Sequence, residues 1–315
     1  MALSPPRNGN APPQFSGGPG ASAGNKLDSS LTARWWSGPG EGGAAFSCEM
    51  CFRRCRLTEG GFGHCGARGV VGGRFVSPFL GRFSSAAVDP IEKKPLYHWR
   101  PGSFIFSLGS LGCTMHCPFC QNHSIARPGG QVRLEDISPK LLAMKVKELG
   151  LAAVAYTYNE PTLQAEYILA AAEYLKADGV ATALVTNGQM GPELLAELAK
   201  VTGAVNMDVK TFNQANYQKM GGALNVVREN VAAFLNAGVH VELTTLVVPG
   251  LSDDRDEFAE LAAWAAGLSP DIPLHISRYF PAYKYSAPMT ELSVLEDFRK
   301  IAAAKLRHVH LGNVR

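Results

Sequence analysis

The chain has 315 residues, of which 46% are hydrophobic and 18% are charged, and its formal net charge is +3. A chain of this length and composition is globular and can bury one large core or two smaller ones. The small net charge argues against nucleic acid or a membrane surface as a partner. The short basic stretch at Arg53, Arg54 and Arg56 is interpreted as a solvated face.

The cysteines and the apolar runs indicate the compartment. All seven cysteines fall in two short groups, which favours metal ligation in a reducing compartment over a disulfide framework. The opening residues lack a basic stretch followed by an apolar segment, and no run reaches about 18 uninterrupted apolar residues. The sequence therefore predicts a cytoplasmic protein that does not span a membrane.

Composition divides the chain into three parts. Residues 1–33 are rich in Pro, Gly, Ser, Ala and Asn. They are predicted to be disordered, because such a segment buries too little apolar area to offset its chain entropy. Residues 34–100 are predicted to form a small Cys-rich unit, and residues 101–315 the main domain.

Short β-branched or aromatic runs alternate with Ala- and Leu-rich helical stretches from residue 103 onward. The predicted strands are 104–108, 153–158, 181–186, 204–209, 240–248 and 274–279. The predicted helices are 139–149, 163–176, 192–200, 226–236, 257–266 and 294–306. Gly150, Gly179 and Gly238 fit the position that follows a helix end.

This alternation indicates a parallel sheet with crossover helices. Six strand–helix units are too few to close an eight-stranded barrel, so we predict an α/β fold, a partial (β/α)6 TIM-like barrel. A doubly wound open sheet is the alternative. In either fold, ligands bind at the C-terminal ends of the strands.

Three cysteines, Cys113, Cys117 and Cys120, directly follow the first predicted strand with the spacing C-x-x-x-C-x-x-C. A [4Fe-4S] cluster normally takes four thiolates, so a trio leaves one iron open to a further ligand. The alternative is a zinc site with His116 or His123 as the fourth ligand. His116 is adjacent to Cys117, where turn geometry points it away from a metal shared with Cys113.

This loop resembles the cluster loop of radical S-adenosylmethionine (SAM) enzymes. The flanking strings at Asp89–Trp99, Cys120–Asn122 and Tyr156–Thr162 are similar to those of AmmeMemoRadiSam-system radical SAM proteins, within the branch of the pyruvate formate-lyase activating enzymes. The resemblance runs from about Trp35 to the last residue. It implies the radical SAM barrel fold, a [4Fe-4S] cluster, bound SAM and an electron donor such as flavodoxin or ferredoxin.

The activity that the resemblance implies is reductive cleavage of SAM to a 5′-deoxyadenosyl radical. This radical would remove hydrogen from a protein or small-molecule substrate. A backbone glycine of a partner enzyme as the target would make the chain a glycyl-radical activase. The alternatives are an AmmeMemoRadiSam modification enzyme without a glycyl radical target, and a non-catalytic metal-binding module.

Polar residues at the ends of later strands are the expected SAM contacts. Glu160 stands where relatives carry the carboxylate of a Gly-Gly-Glu-Pro string, which contacts the methionyl amine; the alternative is a Glu favoured by a helix N-terminus. Asn187 lies in a Thr-Asn-Gly string like that of the activating enzymes, or in a simple Asn-Gly turn. His275 is expected to contact SAM or substrate, with a hydrogen-bonded core histidine as the alternative.

Asp208 and Lys210 are two residues apart and therefore lie on one face of the fourth predicted strand. An opposite-sign pair inside a barrel either neutralises itself or holds a zwitterion, and SAM is such a ligand. The family's Asp-x-Lys string implies that both residues bind SAM. The alternative is a structural ion pair at the barrel rim.

A second group of four thiols, Cys48, Cys51, Cys55 and Cys65, lies in the small N-terminal unit. Four thiolates are enough for a structural zinc ion or a second [4Fe-4S] cluster. The spacing does not match the ferredoxin run C-x2-C-x2-C-x3-C. A small Gly-rich unit with few apolar residues needs a metal to stay folded, which slightly favours zinc. An electron-relay cluster and a set of unligated thiols stay open as alternatives.

Overall fold

The computed structural model of the protein describes residues 31–39, 43, 45–128 and 132–314. Disorder is expected for residues 1–33, and residues 1–30 of this segment lie outside the described residues. The described chain contains one eight-stranded sheet and three small sheets of two or three strands. No helix of this described part is long and apolar enough to cross a membrane.

The elements are numbered here in chain order. The strands are β1 (Trp36–Ser37), β2 (Phe46–Cys48), β3 (Arg56–Leu57), β4 (Gly69–Val71), β5 (Arg74–Val76), β6 (Arg82–Phe83), β7 (Ser85–Pro90), β8 (Phe104–Gly109), β9 (Glu135–Asp136), β10 (Ala153–Tyr156), β11 (Ala181–Thr186), β12 (Ala204–Asp208), β13 (His240–Val247), β14 (Leu274–Arg278) and β15 (Val309–Gly312). The helices are α1 (His123–Ala126), α2 (Pro139–Glu148), α3 (Ala165–Ala177), α4 (Pro192–Ala199), α5 (Gln214–Lys219), α6 (Leu224–Asn236), α7 (Arg255–Leu268) and α8 (Leu292–Ala303). Short 3-10 turns cover Ile91–Lys93 and Pro161–Gln164.

The large sheet is the predicted partial barrel. Its strand order is β15-β14-β13-β12-β11-β10-β8-β7. All neighbouring strands are parallel except β7 and β8, which are antiparallel. Strand β10 is buried along its whole length, as expected for a strand of a parallel sheet that is covered on both faces. Six strand–helix units run from β8 to α8, and this confirms the predicted (β/α)6 fold.

Two edge strands of this sheet were not predicted. Strand β15 extends one edge beyond β14, and β7 adds an antiparallel strand beside β8. Since β7 spans Ser85–Pro90, the sheet begins within the segment assigned to the Cys-rich unit. The division of the chain at residue 100 stays a prediction.

Local signals explain where the helices begin and end. The Ser138 hydroxyl accepts a hydrogen bond from the Leu141 N–H, and Pro139 occupies the first position of α2. The three predicted stop glycines have φ values of +63°, +70° and +77° directly after α2, α3 and α6. Only glycine adopts this backbone conformation without strain, so these positions are confirmed as helix ends.

A buried ion pair fixes the Cys-rich segment against the barrel. The Arg68 guanidinium lies 2.8 Å from the Glu166 carboxylate of α3, and both side chains are at most 3% exposed. The same carboxylate oxygen accepts a hydrogen bond from the Arg34 N–H at 2.8 Å. Removal of one member would leave a buried charge unpaired, so the contact strongly favours this one position of the segment.

Candidate active site

A cavity of about 310 Å³ opens at the C-terminal ends of β8, β10, β11 and β12. Parallel α/β sheets bind their ligands at this end. The cavity brings together seven of the eight residues predicted to hold the first cluster or SAM: Cys113, Cys117, Cys120, Glu160, Asn187, Asp208 and Lys210. The eighth residue, His275, is not part of its described lining.

The loop after β8 carries the three thiols on one side of the cavity. Its main chain is fixed by a hydrogen bond of 2.6 Å from the His116 N–H to the Met220 carbonyl. The Cys113 sulfur accepts contacts of 3.5 Å from the Met115 N–H and from the Asn187 side-chain amide. The sulfur is therefore oriented by the protein before any metal binds.

Both histidines considered as zinc ligands are engaged elsewhere. The His116 ring stacks on His64 with 3.6 Å between ring centroids, and its Nε2 lies 3.0 Å from the His64 carbonyl oxygen. The His123 ring stacks on Tyr283 at 4.5 Å, and its Nδ1 lies 3.2 Å from the Cys120 carbonyl oxygen. Neither residue belongs to the cavity lining that the structure describes. The geometry thus favours a trio of thiols without a histidine as the fourth ligand.

Gly112 lets the cluster loop pack tightly on the Cys-rich segment. Its φ of +92° lies in the left-handed region that favours glycine. A Cβ at this position would lie 2.9 Å from the Cys65 carbonyl oxygen and 2.8 Å from the Leu163 side chain. The close approach expected at this glycine is therefore present, directly before Cys113.

Burial controls the ionisation of two thiols of the trio, Cys113 and Cys117. It raises the pKa of Cys113 above its usual range and that of Cys117 to about 11. Both thiols are therefore protonated at neutral pH before a metal binds. Because metal binding must release these protons, the affinity of the site for metal rises with pH.

The Glu160 carboxylate links the ends of β10 and β11. Its Oε1 accepts three hydrogen bonds of 2.7–3.2 Å, two from Thr162 and one from the Thr186 hydroxyl. Among the described residues, Oε2 accepts only from the Asn187 N–H, at 3.0 Å. Burial raises the pKa of Glu160, and the four hydrogen bonds oppose that shift. Oε2 keeps room for a further donor.

Asn187 connects this carboxylate to the cysteine loop. Its side-chain nitrogen donates to the Thr114 hydroxyl at 3.0 Å and to the Cys113 sulfur at 3.5 Å. Its side-chain oxygen accepts from the Gln189 N–H at 3.1 Å, and Gly188 has a φ of +70°. The residue therefore both forms the Asn-Gly turn and faces the predicted cluster ligands.

Asp208 and Lys210 lie side by side at the end of β12, as their spacing predicts. The Lys210 ammonium is 2.7 Å from the Asp208 carboxylate, and both side chains keep partial exposure. Burial alone would lower the pKa of Lys210, but the neighbouring carboxylate outweighs it and raises this pKa. Both members of this ion pair line the cavity.

His275 lies away from this cavity. It is the second residue of β14 and so belongs to the N-terminal half of that strand, opposite the ligand-binding end. Its side chain is buried, with Nε2 at 2.7 Å from the Glu242 carboxylate. The structure does not bring His275 to the predicted SAM site, and its geometry is that of a hydrogen-bonded core histidine.

Three residues that the sequence pattern did not indicate as site residues meet at the wall of the cavity. The buried Lys94 ammonium lies 2.7 Å from the Asp89 carboxylate, and the Tyr158 hydroxyl donates to the same carboxylate oxygen at 2.7 Å. Lys94 and Tyr158 both line the cavity. The charged Asp89–Trp99 string was the available signal, but its contact with a residue near 158 depends on the antiparallel strand β7, which had not been predicted.

Comparison with known proteins places the barrel in a family. The profile of the Radical SAM superfamily matches residues 108–262, a range that contains the three cysteines and the four polar residues of the cavity. An uncharacterized protein of Methanocaldococcus jannaschii is 32% identical over 272 residues, which cover 85% of this chain and 81% of that protein. The chain belongs to the radical SAM superfamily.

This radical SAM protein is also similar to an activating enzyme. Pyruvate formate-lyase 1-activating enzyme of Escherichia coli is 31% identical over 151 residues, or 46% of this chain and 61% of that enzyme. The match thus spans less than two thirds of the activating enzyme. A radical SAM methyltransferase from Sphaerobacter thermophilus shares the fold, with a TM-score of 0.52 at 14% identity over 68% of this chain and 67% of that chain.

Membership of the superfamily implies a [4Fe-4S] cluster and SAM as cofactors, as predicted. The donor set of the cavity fits both groups. Three thiols can ligate three irons, and the spare acceptor of Glu160 and the two charges of Asp208 and Lys210 suit a zwitterion. The more specific AmmeMemoRadiSam resemblance stays a prediction.

Proposed function

We propose that this chain is a radical SAM oxidoreductase that removes a hydrogen atom from a protein substrate, with Cys113, Cys117 and Cys120 as the cluster ligands. One observation supports this proposal above all: these thiols share a single cavity with a carboxylate, an amide and an ion pair at the strand ends. Bound together, the cluster and SAM supply a 5′-deoxyadenosyl radical by reductive cleavage.

The polar side chains of the cavity would hold the charged end of SAM. Glu160 would accept a charge-assisted hydrogen bond from the methionyl ammonium through Oε2. Asp208 would contact the ammonium of SAM and Lys210 its carboxylate, in place of part of their contact with each other. Phe119 and Leu246 contribute apolar surface to the lining, which limits water around the reacting atoms.

The proposed target is a backbone glycine of a partner enzyme, which makes the chain a glycyl-radical activase. The similarity to pyruvate formate-lyase 1-activating enzyme supports this target. The proposed electron donor is a flavodoxin or a ferredoxin, because both are protein donors of single low-potential electrons.

Deuterium transfer tests the target. Holoprotein, reductant and SAM are incubated with protein extract from source cells grown on α-deuterated glycine, and the 5′-deoxyadenosine is analysed by mass spectrometry. Deuterium in the product is expected, because the radical would take a hydrogen from a glycine α-carbon. Free deuterated glycine and extract labelled with deuterated leucine are the controls. If 5′-deoxyadenosine is released but carries no deuterium derived from glycine, the activase assignment is overturned.

A second candidate is a radical SAM modification enzyme of the AmmeMemoRadiSam type that acts on another target. The match to the activating enzyme covers 46% of this chain, so more than half of the chain gives no support for a glycyl target, and this leaves room for another target. That candidate gives 5′-deoxyadenosine with no deuterium from glycine. A non-catalytic metal-binding module would give no 5′-deoxyadenosine at all.

A further inference from the structure

A second group of thiols meets beside the active site. Cys48, Cys51, Cys55 and Cys65 all line one small cavity in the N-terminal segment. The segment is held in shape by a hydrogen bond of 2.9 Å from the Cys48 N–H to the Cys55 carbonyl. Cys51 also pairs as a β-bridge with Met190, so the group is attached to the barrel itself.

The four thiols are not arranged around a single ion. Thiolates bound to zinc lie about 2.3 Å from the ion in a tetrahedral set. Consistently, no group of three or more His, Cys, Asp or Glu in the described chain has the geometry to hold a single metal ion.

Unpaired hydrogen-bonding nitrogens line the same cavity. Within the described residues, the buried Nε of Arg53, Nε2 of His64 and Nε of Arg68 have no hydrogen-bond partner. All three residues belong to the lining of this cavity. The two arginine nitrogens are donors, and buried donors without partners are costly, so their presence around four thiols suggests an anionic group that accepts from them. A cluster with inorganic sulfides and thiolates is such a group.

The second cavity shares a wall with the active site. Thr114 lines it, and the preceding residue, Cys113, lines the first cavity. The Gly112 backbone also packs against the carbonyl of Cys65, one of the second group of thiols. A redox centre at the second group would therefore lie one layer of backbone away from the centre at Cys113.

We propose that Cys48, Cys51, Cys55 and Cys65 ligate a second [4Fe-4S] cluster that passes electrons to the active site. Its four irons would all have thiolate ligands, so it would bind no SAM. It would take one electron from an external low-potential donor of the flavodoxin or ferredoxin class and give that electron to the cluster at Cys113; no bond forms or breaks at the second centre. The relay role rests on the proposed function, whereas the metal assignment does not.

Metal analysis tests the assignment. The protein is purified anaerobically from cells that overproduce the iron–sulfur assembly machinery, without later reconstitution, and its iron, sulfide and zinc are measured. About eight irons, about eight sulfides and no zinc per chain are expected. One zinc with about four irons would overturn the proposal in favour of a structural zinc site. About four irons with no zinc would overturn it in favour of free thiols.

A triple variant shows which cysteines hold the irons. The triple variant Cys113→Ala, Cys117→Ala, Cys120→Ala is expected to keep about four irons and the Mössbauer spectrum of a [4Fe-4S] cluster, although it cannot cleave SAM. This result would hold even if the proposed function were wrong. A triple variant without iron would overturn the second cluster. Because this variant leaves the N-terminal thiols intact, it does not depend on whether that segment folds without metal.

The relay role needs a readout of its own. The double variant Cys51→Ser, Cys55→Ser is expected to lose about four irons while it keeps the cluster at Cys113 and its SAM affinity. Its SAM cleavage driven by flavodoxin is expected to be lost. If cleavage driven by flavodoxin is unchanged in this variant, the relay is overturned. If the variant does not fold, the order of electron transfer is measured in the intact protein by EPR after rapid mixing with reduced flavodoxin. The signal of the second cluster, which SAM does not perturb, should appear before the signal of the cluster at Cys113, which SAM does perturb. The reverse order would overturn the relay.

Discussion

The ion pair of Asp208 and Lys210 has a structural role in the empty cavity and a proposed role in binding SAM. Each side chain neutralises the other across 2.7 Å while it keeps partial exposure to the cavity. A zwitterionic ligand can replace part of this contact at small electrostatic cost, because each charge exchanges one opposite partner for another. Under the proposed function, the pair would bind SAM and would remain an ion pair when SAM is absent.

Asp208→Asn is expected to weaken SAM binding by about ten- to a hundred-fold, because a hydrogen bond to a charged group contributes about 1.5–3 kcal/mol. The cluster iron should be unchanged. Equilibrium dialysis with labelled SAM, together with iron analysis, measures both. The matched control is Asp178→Asn, which breaks the surface ion pair with Lys147 and should leave SAM affinity as it is. Equal SAM affinity in the two variants would reduce Asp208 to a structural role.

Histidines cluster around Glu242 at the opposite end of the barrel. Burial would raise the pKa of Glu242, but hydrogen bonds from His240 and His275 outweigh it and lower the pKa to about 2. Burial and the neighbouring rings of His275 and His98 lower the pKa of His310 to about 4. The Nε2 atoms of His98 and His310 are 2.8 Å apart, so one of them must stay unprotonated as the acceptor.

This cluster should make the fold sensitive to acid. The unfolded chain protonates His310 near pH 6.5, whereas the folded chain does so only near pH 4, so stability falls as the pH drops through this window. Glu242 adds a further loss between about pH 4.5 and 2. Urea unfolding of the anaerobic holoprotein between pH 7.5 and 5 measures the slope. His310→Gln should flatten it; a slope identical to that of the parent protein would refute the assignment.

At the scale of elements, two loops depend on each other. The cluster loop after β8 and the Cys-rich segment meet where Gly112 passes the Cys65 carbonyl. The Arg68–Glu166 ion pair holds the Cys-rich segment against α3 from its other side. The position of the three cluster thiols therefore depends on a segment that lies outside the six strand–helix units.

Gly112→Ala is expected to displace the cluster loop and to lower the iron bound at Cys113, because the new Cβ would meet backbone at 2.9 Å. Gly150→Ala is the matched control. Gly150 also has a positive φ, of +63°, but nothing lies within 4 Å of its Cβ position, so this variant incurs only the backbone strain of about 1 kcal/mol. Iron per chain after anaerobic purification compares the two. Equal iron in both would show that the contact does not position the loop.

Over the whole molecule, sequence pattern predicted the six strand–helix units because each buried strand and each amphipathic helix carries its own periodic signal. The edge strands β7 and β15 were missed, because most of their residues are only half-buried and so lack the apolar pattern of the buried strands. The cysteine trio was found from spacing alone. His275 does not line the described cavity, because it is the second residue of β14 and lies near the N-terminal end of that strand.

The triad of Asp89, Lys94 and Tyr158 shows a second limit of sequence pattern. Its members come from β7, from the turn after it and from the residues after β10, and only the folded chain brings them together. The same holds for the two groups of cysteines. Their spacing identifies each group, but their adjacency depends on the packing of Gly112 against Cys65.

The central claim is that the cavity at the strand ends cleaves SAM through a cluster held by the three thiols. Release of 5′-deoxyadenosine from SAM under dithionite, measured by chromatography and mass spectrometry, tests it most directly. The parent protein is expected to release 5′-deoxyadenosine. This release is expected to be lost in each of the variants Cys113→Ala, Cys117→Ala and Cys120→Ala. No release by an iron-loaded parent protein, or undiminished release by any of these three variants, would contradict the account.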